Sequence, residues 1–193
     1  MEDKLAQLTD EQLIHKIANC DQLAFSELMS RYLSSLVKFS TRYTHSIPCS
    51  EDIVQEAFIR VWKLACNWKS AKGSAKSWLF KIVYNATMDY LRKQQLQRSH
   101  RESLNNEFDV AQSPEKDLLV KEQSSQLHSA LFTLPERQRT SLTLFLFNGL
   151  NGKEVASVMG LTLEASESLL ARARRNLKKK IKEEPFTKRV VNS

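Results

Sequence analysis

The sequence is poor in the two residues that most often make turns. It contains only four Gly and four Pro among 193 residues. This composition argues against a turn-rich β sandwich and favours long helices. Hydrophobic residues make up 41% of the chain, which is enough for compact cores and argues against wholesale disorder. The length fits two small domains or one of medium size.

Long apolar runs and paired cysteines are also missing. No run approaches the roughly 20 residues that a membrane span needs, and residues 1–4 are polar, without the apolar core of a signal peptide. Cys20, Cys49 and Cys66 lie far apart, form no C-x-x-C pair, and do not cluster with the four His. We therefore expect a cytoplasmic protein with free thiols, no metal site, no cofactor and no insertion into a membrane.

Positive charge is concentrated at one end of the chain. Residues 171–193 carry nine Lys or Arg and two Glu, so this stretch alone equals the net charge of +7. A basic end on a nearly neutral body indicates a polyanionic partner, and nucleic acid is the first candidate.

Apolar residues recur at helical spacing through four segments of the N-terminal half. A capping-box signature at Thr9 predicts the start of the first helix, and Asp21 that of the second. Pro48 is predicted to break the chain and Ser50 to cap the third helix, with acidic residues in its first turn. The fourth helix is predicted over residues 74–93.

The helical pattern fades after this segment and returns later. We predict an all-α protein with a first domain over residues 1–94, a flexible linker over 95–126 and a second domain over 127–193. The linker is rich in Gln, Ser, Asn and acidic residues and contains Pro114. The second domain ends in a long helix predicted over residues 163–182.

Residues 154–162 have the residue pattern of a helix-turn-helix. Ala156 is small enough for the inside, Gly160 suits the turn, and Thr162 can cap the second helix. Such a second helix fits the major groove of DNA. Basic residues then recur along it in a stripe suited to phosphates: Arg172, Arg175, Lys179 and Lys182. The alternative at this point is a helical hairpin with a solvated basic face.

Two further segments contain residues whose types are not explained by packing of an apolar stripe into a core. In the third helix, the residues spaced to face the core leave an outer face on which an apolar and an aromatic residue lie among polar ones. This composition is typical of a partner-docking face. The residues of the face are Asp52, Gln55, Glu56, Ile59 and Trp62. A partly covered surface Trp is the alternative. In residues 67–85, aromatic residues alternate with Lys and precede Asn85, a pattern suited to single-stranded nucleic acid. For Trp78 and Phe80, simple burial in the core stays open.

Together these segments resemble the extracytoplasmic-function group of bacterial sigma factors over nearly the whole chain. The motifs that carry the resemblance are Ala24-Phe25, Arg31-Tyr32, residues 51–62, residues 78–92, residues 134–139, Gly149-Leu150, residues 154–156 and residues 172–177. The resemblance implies a promoter-specificity subunit of RNA polymerase, made of two helical domains and a flexible linker, with no catalytic site. It further implies as partners core polymerase, promoter DNA and an anti-sigma factor, which in this group is often membrane-anchored.

The resemblance also implies roles for individual residues. The contacts to core polymerase would come from Asp52, Gln55, Glu56, Ile59, Arg60 and Trp62. The first domain would hold the −10 element and trap a flipped base, and the contacts would come from Trp68, Lys69, Lys76, Trp78, Lys81 and Asn85. The −35 element would be bound by Ala165, Glu167, Ser168, Ala171, Arg172, Arg175 and Lys179.

The recognition helix departs from the pattern that the resemblance leads one to expect. Members of the group often have Gly-Thr-Val-Lys/Arg-Ser where this chain has residues 164–168, Glu-Ala-Ser-Glu-Ser. A Glu here either accepts a hydrogen bond from cytosine or repels phosphate.

Two other classes of function lack their sequence signatures. A dimeric helix-turn-helix regulator that acts without polymerase would need a dimerisation or sensor segment, and the sequence offers none. An enzyme acting on nucleic acid would need a pattern such as H-x-E…P-C-x-x-C or a phosphate-binding Gly loop, and both are missing.

Overall fold

The computed structural model describes residues 5–104 and 130–183, and all regular secondary structure in these ranges is helical. This confirms the predicted fold class. The helices are α1 (Asp10–Ala18), α2 (Gln22–Thr44), α3 (Ile47–Leu64), α4 (Ala75–Leu104), α5 (Glu136–Leu142), α6 (Gly152–Met159) and α7 (Leu163–Glu183). None of the described helices is both long and apolar enough to cross a bilayer.

Side-chain caps begin the first two helices where the sequence predicted them. The Thr9 hydroxyl accepts from the Gln12 backbone N–H, and the Gln12 side chain accepts from the Thr9 N–H in return. The Asp21 carboxylate accepts from the N–H groups of Leu23 and Ala24 at 3.0 Å each. These backbone bonds lower the pKa of Asp21, and the bond to Ala24 is the strongest cause.

The start of α3 differs from the prediction by about one turn. Ser46 is the cap and accepts from the Cys49 N–H, and Pro48 lies inside the first turn. Proline is tolerated there because the first N–H groups of a helix have no partner within the helix. Ser50, predicted as the cap, is instead fully buried, and its hydroxyl donates to the Ser46 carbonyl.

Helices α1 to α4 enclose one apolar core. Its largest fully buried side chains include Phe39, Phe80, Leu28 and Val54, and Phe39 meets Phe80 edge to face at 5.7 Å between ring centroids. The predicted inward residues of α3 are all buried: Ile53, Val54, Ala57, Phe58 and Val61. Burying one Val, Ile or Phe side chain stabilises the fold by roughly 1.5–3 kcal/mol.

Helix α4 is longer than the sequence predicted. It continues to Leu104, eleven residues beyond the expected end at residue 93. Residues 95–104, which the composition assigned to the linker, are therefore helical. The remainder of the predicted linker, residues 105–126, lies outside the described residues.

The C-terminal unit contains a helix-turn-helix on a short helical base. Helices α6 and α7 are joined by residues 160–162, and a π-helical segment, Thr143–Phe147, continues from α5. Leu170, Ala173 and Leu177 of α7 are buried against Leu131, Leu134 and Leu142. The Asn176 amide also donates to Gln138 of α5 at 2.9 Å.

The two units pack against each other. Leu144, Leu150, Val155 and Val158 of the C-terminal unit belong to the same buried cluster as the core of α1–α4. The main helix pair across this boundary is α4 with α6. Cys20 and Cys66 are exposed free thiols, and Cys49 is a partly buried one.

Candidate polymerase and nucleic-acid interfaces

The outer face of α3 presents the residues predicted to dock on a partner. Asp52, Gln55 and Glu56 are exposed, and Arg60 is half-buried. Arg60 forms an ion pair with Glu56 one turn before it. The inward face of the helix is fully used by the core, so this outer face is free to bind another molecule.

Apolar groups lie among these charges. Ile59 is 54% exposed although it is a large aliphatic residue. Trp62 is half-buried and packs edge to face on Phe25, with 5.2 Å between ring centroids. Gln55, Ile59 and Trp62 follow one another at spacings of four and three, so they share one stripe of the helix. A rigid aromatic beside an exposed aliphatic residue is typical of the centre of a protein interface.

A cavity of about 330 Å³ lies where the loop after α3 meets α4. Five of the six residues predicted to contact the −10 element line it: Trp68, Lys69, Trp78, Lys81 and Asn85. The loop is shaped by two short 3₁₀ turns, Ala65–Asn67 and Ser70–Lys72, followed by Gly73 at a φ of +136°, a conformation that disfavours any other residue.

The two tryptophans at the cavity differ in exposure. Trp68 is 7% exposed and makes an edge-to-face contact with His15 at 5.5 Å, so it forms a fixed wall. Trp78 is only partly buried, whereas Phe80 is wholly in the core. Asn85 is exposed and Lys81 half-exposed on the same side of α4. The cavity thus combines aromatic surface, an amide and ammonium groups.

Lys76 is the predicted −10 residue that does not line the cavity. It is half-buried, and its Nζ lies 3.6 Å from the position that a Cβ would take at Gly149. The ammonium group therefore points toward the C-terminal unit.

The helix-turn-helix has a cap at each of its helix starts. Asn151 and Glu154 form a capping box at the start of α6, and Gly160 ends that helix with a φ of +64°. Thr162 accepts from the Ala165 N–H at the start of α7. The backbone N–H of Glu164 and the Thr162 hydroxyl lower the pKa of Glu164. The buried Ser166 hydroxyl donates to the Gly152 carbonyl at 3.1 Å and fixes α7 against α6.

Helix α7 turns its predicted DNA-binding side chains to solvent. They are all exposed: Ala165, Glu167, Ser168, Ala171, Arg172, Arg175 and Lys179. Arg172 donates to the hydroxyl and the carbonyl of Ser168 one turn before it. The face thus combines small side chains, which allow close approach to bases, with cations.

Glu167 lies near the turn-proximal end of this face. Its Cγ is 3.9 Å from where a Cβ at Gly152 would lie. Among the described residues, its carboxylate pairs with neither Arg174 nor Arg175. Arg174 lies over the Phe145 ring instead, at 4.5 Å. The carboxylate is exposed and forms no ion pair with a described residue.

Two family models match the chain in order. Sigma-70 region 2 matches residues 28–97, and Sigma-70, region 4 matches residues 124–177. Together they cover well over half of the chain. The first contains the outer face of α3 and every residue of the cavity lining except Ser157, and the second contains Ser157 and the helix-turn-helix.

Curated relatives match almost end to end. The RNA polymerase sigma-H factor of Pseudomonas aeruginosa is 29% identical over 185 residues, covering 91% of this chain and 95% of its own. The ECF RNA polymerase sigma-E factor of Escherichia coli K12 is 28% identical over 187 residues, with coverage of 91% and 95%. The chain belongs to the extracytoplasmic-function group of sigma-70 factors. It is thus a promoter-specificity subunit that joins core RNA polymerase in transcription initiation.

Solved structures show that this sigma factor has the fold of other sigma-factor chains. The structure of CnrH in complex with the cytosolic domain of CnrY matches with a TM-score of 0.63 and 23% identity over 88% of this chain and 95% of that one. The sigma factor RpoE in complex with the anti-sigma factor NepR from Bartonella quintana also gives 0.63 and 23%, over 83% and 98%.

Five residues that line the cavity of this sigma factor were not among the predicted contacts: Asn67, Gly73, Ser77, Ile82 and Ser157. Ser77 lies between predicted residues in the sequence, but its position in α4 points it inward and it is 1% exposed. Ser157 belongs to α6, in the other unit. No local pattern could have found it, because its position depends on how the two units pack.

Proposed function

We propose that this sigma factor uses three separate surfaces to start transcription. The outer face of α3 binds core polymerase, the cavity beside α4 captures an unpaired base of the −10 element, and the exposed face of α7 reads the −35 element in the major groove. The observation that carries the proposal is the cavity beside α4, which brings together five residues that the sequence spreads over positions 68 to 85.

The cavity suits one flipped base. Its volume of about 330 Å³ lies at the small end of ligand pockets, which span roughly 300–1,000 Å³. Extruding a base costs a few kcal/mol of unstacking, and stacking on an aromatic side chain returns roughly 1–3 kcal/mol. Trp78 supplies the partly exposed ring, the Asn85 amide both donates and accepts, and Lys69 and Lys81 meet the flanking phosphates. Capture therefore favours the melted strand.

The face of α7 suits duplex DNA. Recognition helices contact base edges with residues of their first turns and phosphates with cations further along. Here Ala165, Glu167 and Ser168 lie in those first turns, and Arg172, Arg175 and Lys179 follow. Specificity then comes from the early residues, and the later cations supply affinity that falls as salt rises.

We further propose that an anti-sigma factor controls this protein. The support is the likeness to RpoE, whose structure was determined with the anti-sigma factor NepR. A protein that acts on polymerase and chromosomal DNA works where both are found, so we place it in the cytoplasm. Its chemistry is that of a binding subunit, and the transcription reaction belongs to the polymerase.

A titration of core RNA polymerase with the fluorescently labelled protein, in the absence of DNA, tests this assignment. A sigma factor binds the core enzyme as a one-to-one complex that co-migrates through gel filtration. A helix-turn-helix regulator that acts on DNA alone gives no such complex, and that outcome would refute the proposal.

A further inference from the structure

Helix α1 contacts both edges of the loop that shapes the cavity. The Glu11 carboxylate accepts a hydrogen bond from the backbone N–H of Ala75, the first residue of α4, at 3.2 Å. The His15 ring meets the Trp68 ring edge to face, with 5.5 Å between the ring centroids. Glu11 and His15 are four residues apart, so they lie on one face of α1. The loop over residues 65–74 runs between these two contacts.

The hydrogen bond to Glu11 satisfies a group that has no partner inside α4. The first N–H groups of a helix find no acceptor within the helix, and Ala75 is completely buried. The Ser74 hydroxyl accepts from the Ser77 N–H, so the Ala75 N–H is left to Glu11. A carboxylate is also favoured at the positive end of a helix dipole. Glu11 therefore fixes the backbone where the loop enters α4, two residues after the turn at Gly73.

The contact with His15 fixes the opposite edge of the loop. Trp68 lines the cavity and is only 7% exposed. An aromatic pair at this distance and angle is favourable beyond the burial of its surface. His15 itself is exposed, so it adds little to the apolar core. Its main effect is to restrict the orientation of the Trp68 ring.

Helix α1 is anchored by residues other than these two. Leu13, Ile14 and Ile17 pack into the core and are at most 1% exposed, whereas Glu11 is half-buried and His15 is exposed. The helix also precedes residue 28, where the match to Sigma-70 region 2 begins, so the family model assigns it no role. An independently anchored helix thus reaches both ends of the cavity loop through two side chains.

We propose that α1 positions the pocket for the −10 base, with Glu11 and His15 as its positioning residues. The proposal rests on the function proposed for the cavity and deepens it. Glu11 fixes the first turn of α4, from which Trp78 reaches the cavity, and His15 holds Trp68 as a rigid wall. Neither Glu11 nor His15 lines the cavity. A loop held at both ends is preorganised, so a base binds without the cost of ordering it.

Paired substitutions distinguish the two contacts from a general effect on stability. Glu11→Ala leaves the buried Ala75 N–H without its acceptor, whereas Glu11→Gln keeps a carbonyl oxygen on a side chain of the same length. His15→Ala removes the ring, whereas His15→Phe keeps a ring that can meet Trp68 edge to face. Glu51→Ala is the charge-matched control, because Glu51 is an exposed carboxylate of α3 that does not line the cavity.

The first readout is DNA binding by each variant of the full-length chain, at a temperature at which circular dichroism shows every variant folded. Fluorescence anisotropy measures the affinity for labelled single-stranded DNA of randomised sequence. We expect binding to be about tenfold weaker in Glu11→Ala and roughly three- to tenfold weaker in His15→Ala. Glu11→Gln, His15→Phe and Glu51→Ala should bind like the parent. Removing a negative charge by itself strengthens binding to a polyanion, so a loss in Glu11→Ala has the opposite sign to a charge effect.

The second readout is fluorine NMR of the same chains labelled with 5-fluorotryptophan. The three Trp give three resonances, and Trp68→Phe assigns that of Trp68. Both alanine variants should shift and broaden the Trp68 resonance, because the ring then samples more than one orientation. The Trp62 resonance should stay unchanged, since Trp62 lies on α3 and packs on Phe25. A side chain that only added stability would leave both resonances unchanged in the folded protein.

Asn85→Ala separates a failure of this proposal from a failure of the function proposed for the cavity. If Asn85→Ala weakens DNA binding while Glu11→Ala and His15→Ala bind like the parent, the pocket assignment stands and the positioning role of α1 is refuted. Binding by Glu11→Gln and His15→Phe that is as weak as in the alanine variants also refutes that role, as does an unchanged Trp68 resonance. If Asn85→Ala binds like the parent, the pocket assignment fails and the proposal for α1 fails with it.

Discussion

Asn85 is the polar side chain through which the cavity is expected to recognise a base. It is exposed, it lines the cavity, and its amide supplies both a donor and acceptor sites. Duplex DNA can meet the protein without entering the cavity, whereas a melted strand cannot be held without it. We therefore predict that Asn85→Ala reduces promoter opening more than initial binding. Permanganate footprinting of unpaired thymines at matched occupancy measures the difference.

Gln97→Ala is the control for this prediction. Gln97 is an exposed amide on the same helix, about three turns further along and away from the cavity. It should open promoters like the parent. Equal opening by Asn85→Ala and the parent would show that the cavity does not hold the base through this amide.

Glu167 is predicted to set sequence preference at one −35 position. Its exposed carboxylate has no ionic partner among the described residues, so its natural partner on DNA is a base-edge donor such as the cytosine amino group. Glu167→Lys should change the preferred base there by roughly 1–3 kcal/mol. It should also raise non-specific affinity and steepen the salt dependence. Selection from a randomised −35 library measures the preference.

Glu167→Gln distinguishes recognition of a base by Glu167 from repulsion of the DNA phosphates by its charge. It keeps the length of the side chain without adding a cation, so it should alter the selected base with little change in salt dependence. Identical selected sequences for the parent and both variants, with only the salt dependence of Glu167→Lys altered, would show that Glu167 reads no base.

At the scale of a helix, the outer face of α3 is expected to act as one docking surface. Gln55→Ala with Glu56→Ala removes two exposed polar groups beside Ile59 and frees Arg60 from its ion pair. The core face of α3 is untouched, so the fold should persist. We predict weaker binding to core polymerase, by tenfold or more, if these groups lie at the centre of the contact. Circular dichroism and the core titration measure fold and affinity together.

A matched double variant on α4 controls for the loss of surface charge. Asp89→Ala with Gln95→Ala also removes one exposed amide and one exposed carboxylate paired with an arginine, here Arg92. It should bind the core enzyme like the parent. Unchanged affinity in a well-folded α3 variant would remove the docking role from this face.

The same elements show which helix boundaries can be predicted from sequence. The cap at Thr9 and the turn at Gly160 were predicted because their signals lie within a few residues. The predicted start of α3 at Ser50 is wrong. A proline usually breaks a helix, but in the first turn, where Pro48 lies, it is compatible with one. The extension of α4 to Leu104 was missed because residues 95–104 are largely polar, and a polar helix has no apolar stripe to detect.

At the scale of the molecule, the sequence brought five of the cavity-lining residues into one predicted set, whereas the packing of the two units could not be predicted. Trp78, Lys81 and Asn85 lie on one helix, so spacing alone places them together. The contact between Tyr43 and Thr140 joins residues 97 positions apart, and neither has a sequence signal for the other. The position of Ser157 in the lining of the cavity depends on that packing and could be seen only in three dimensions.

The central claim is that this protein directs core RNA polymerase to a defined set of promoters, and run-off transcription on genomic DNA tests it most directly. Fragmented DNA of the source organism is transcribed by core polymerase with and without the protein, and new 5′ ends are sequenced. The account predicts start sites that depend on the protein and share one −10 and one −35 element at fixed spacing. It also predicts that Asn85→Ala weakens all of them. If the same 5′ ends appear with and without the protein, the chain does not act as a sigma factor and the account is wrong.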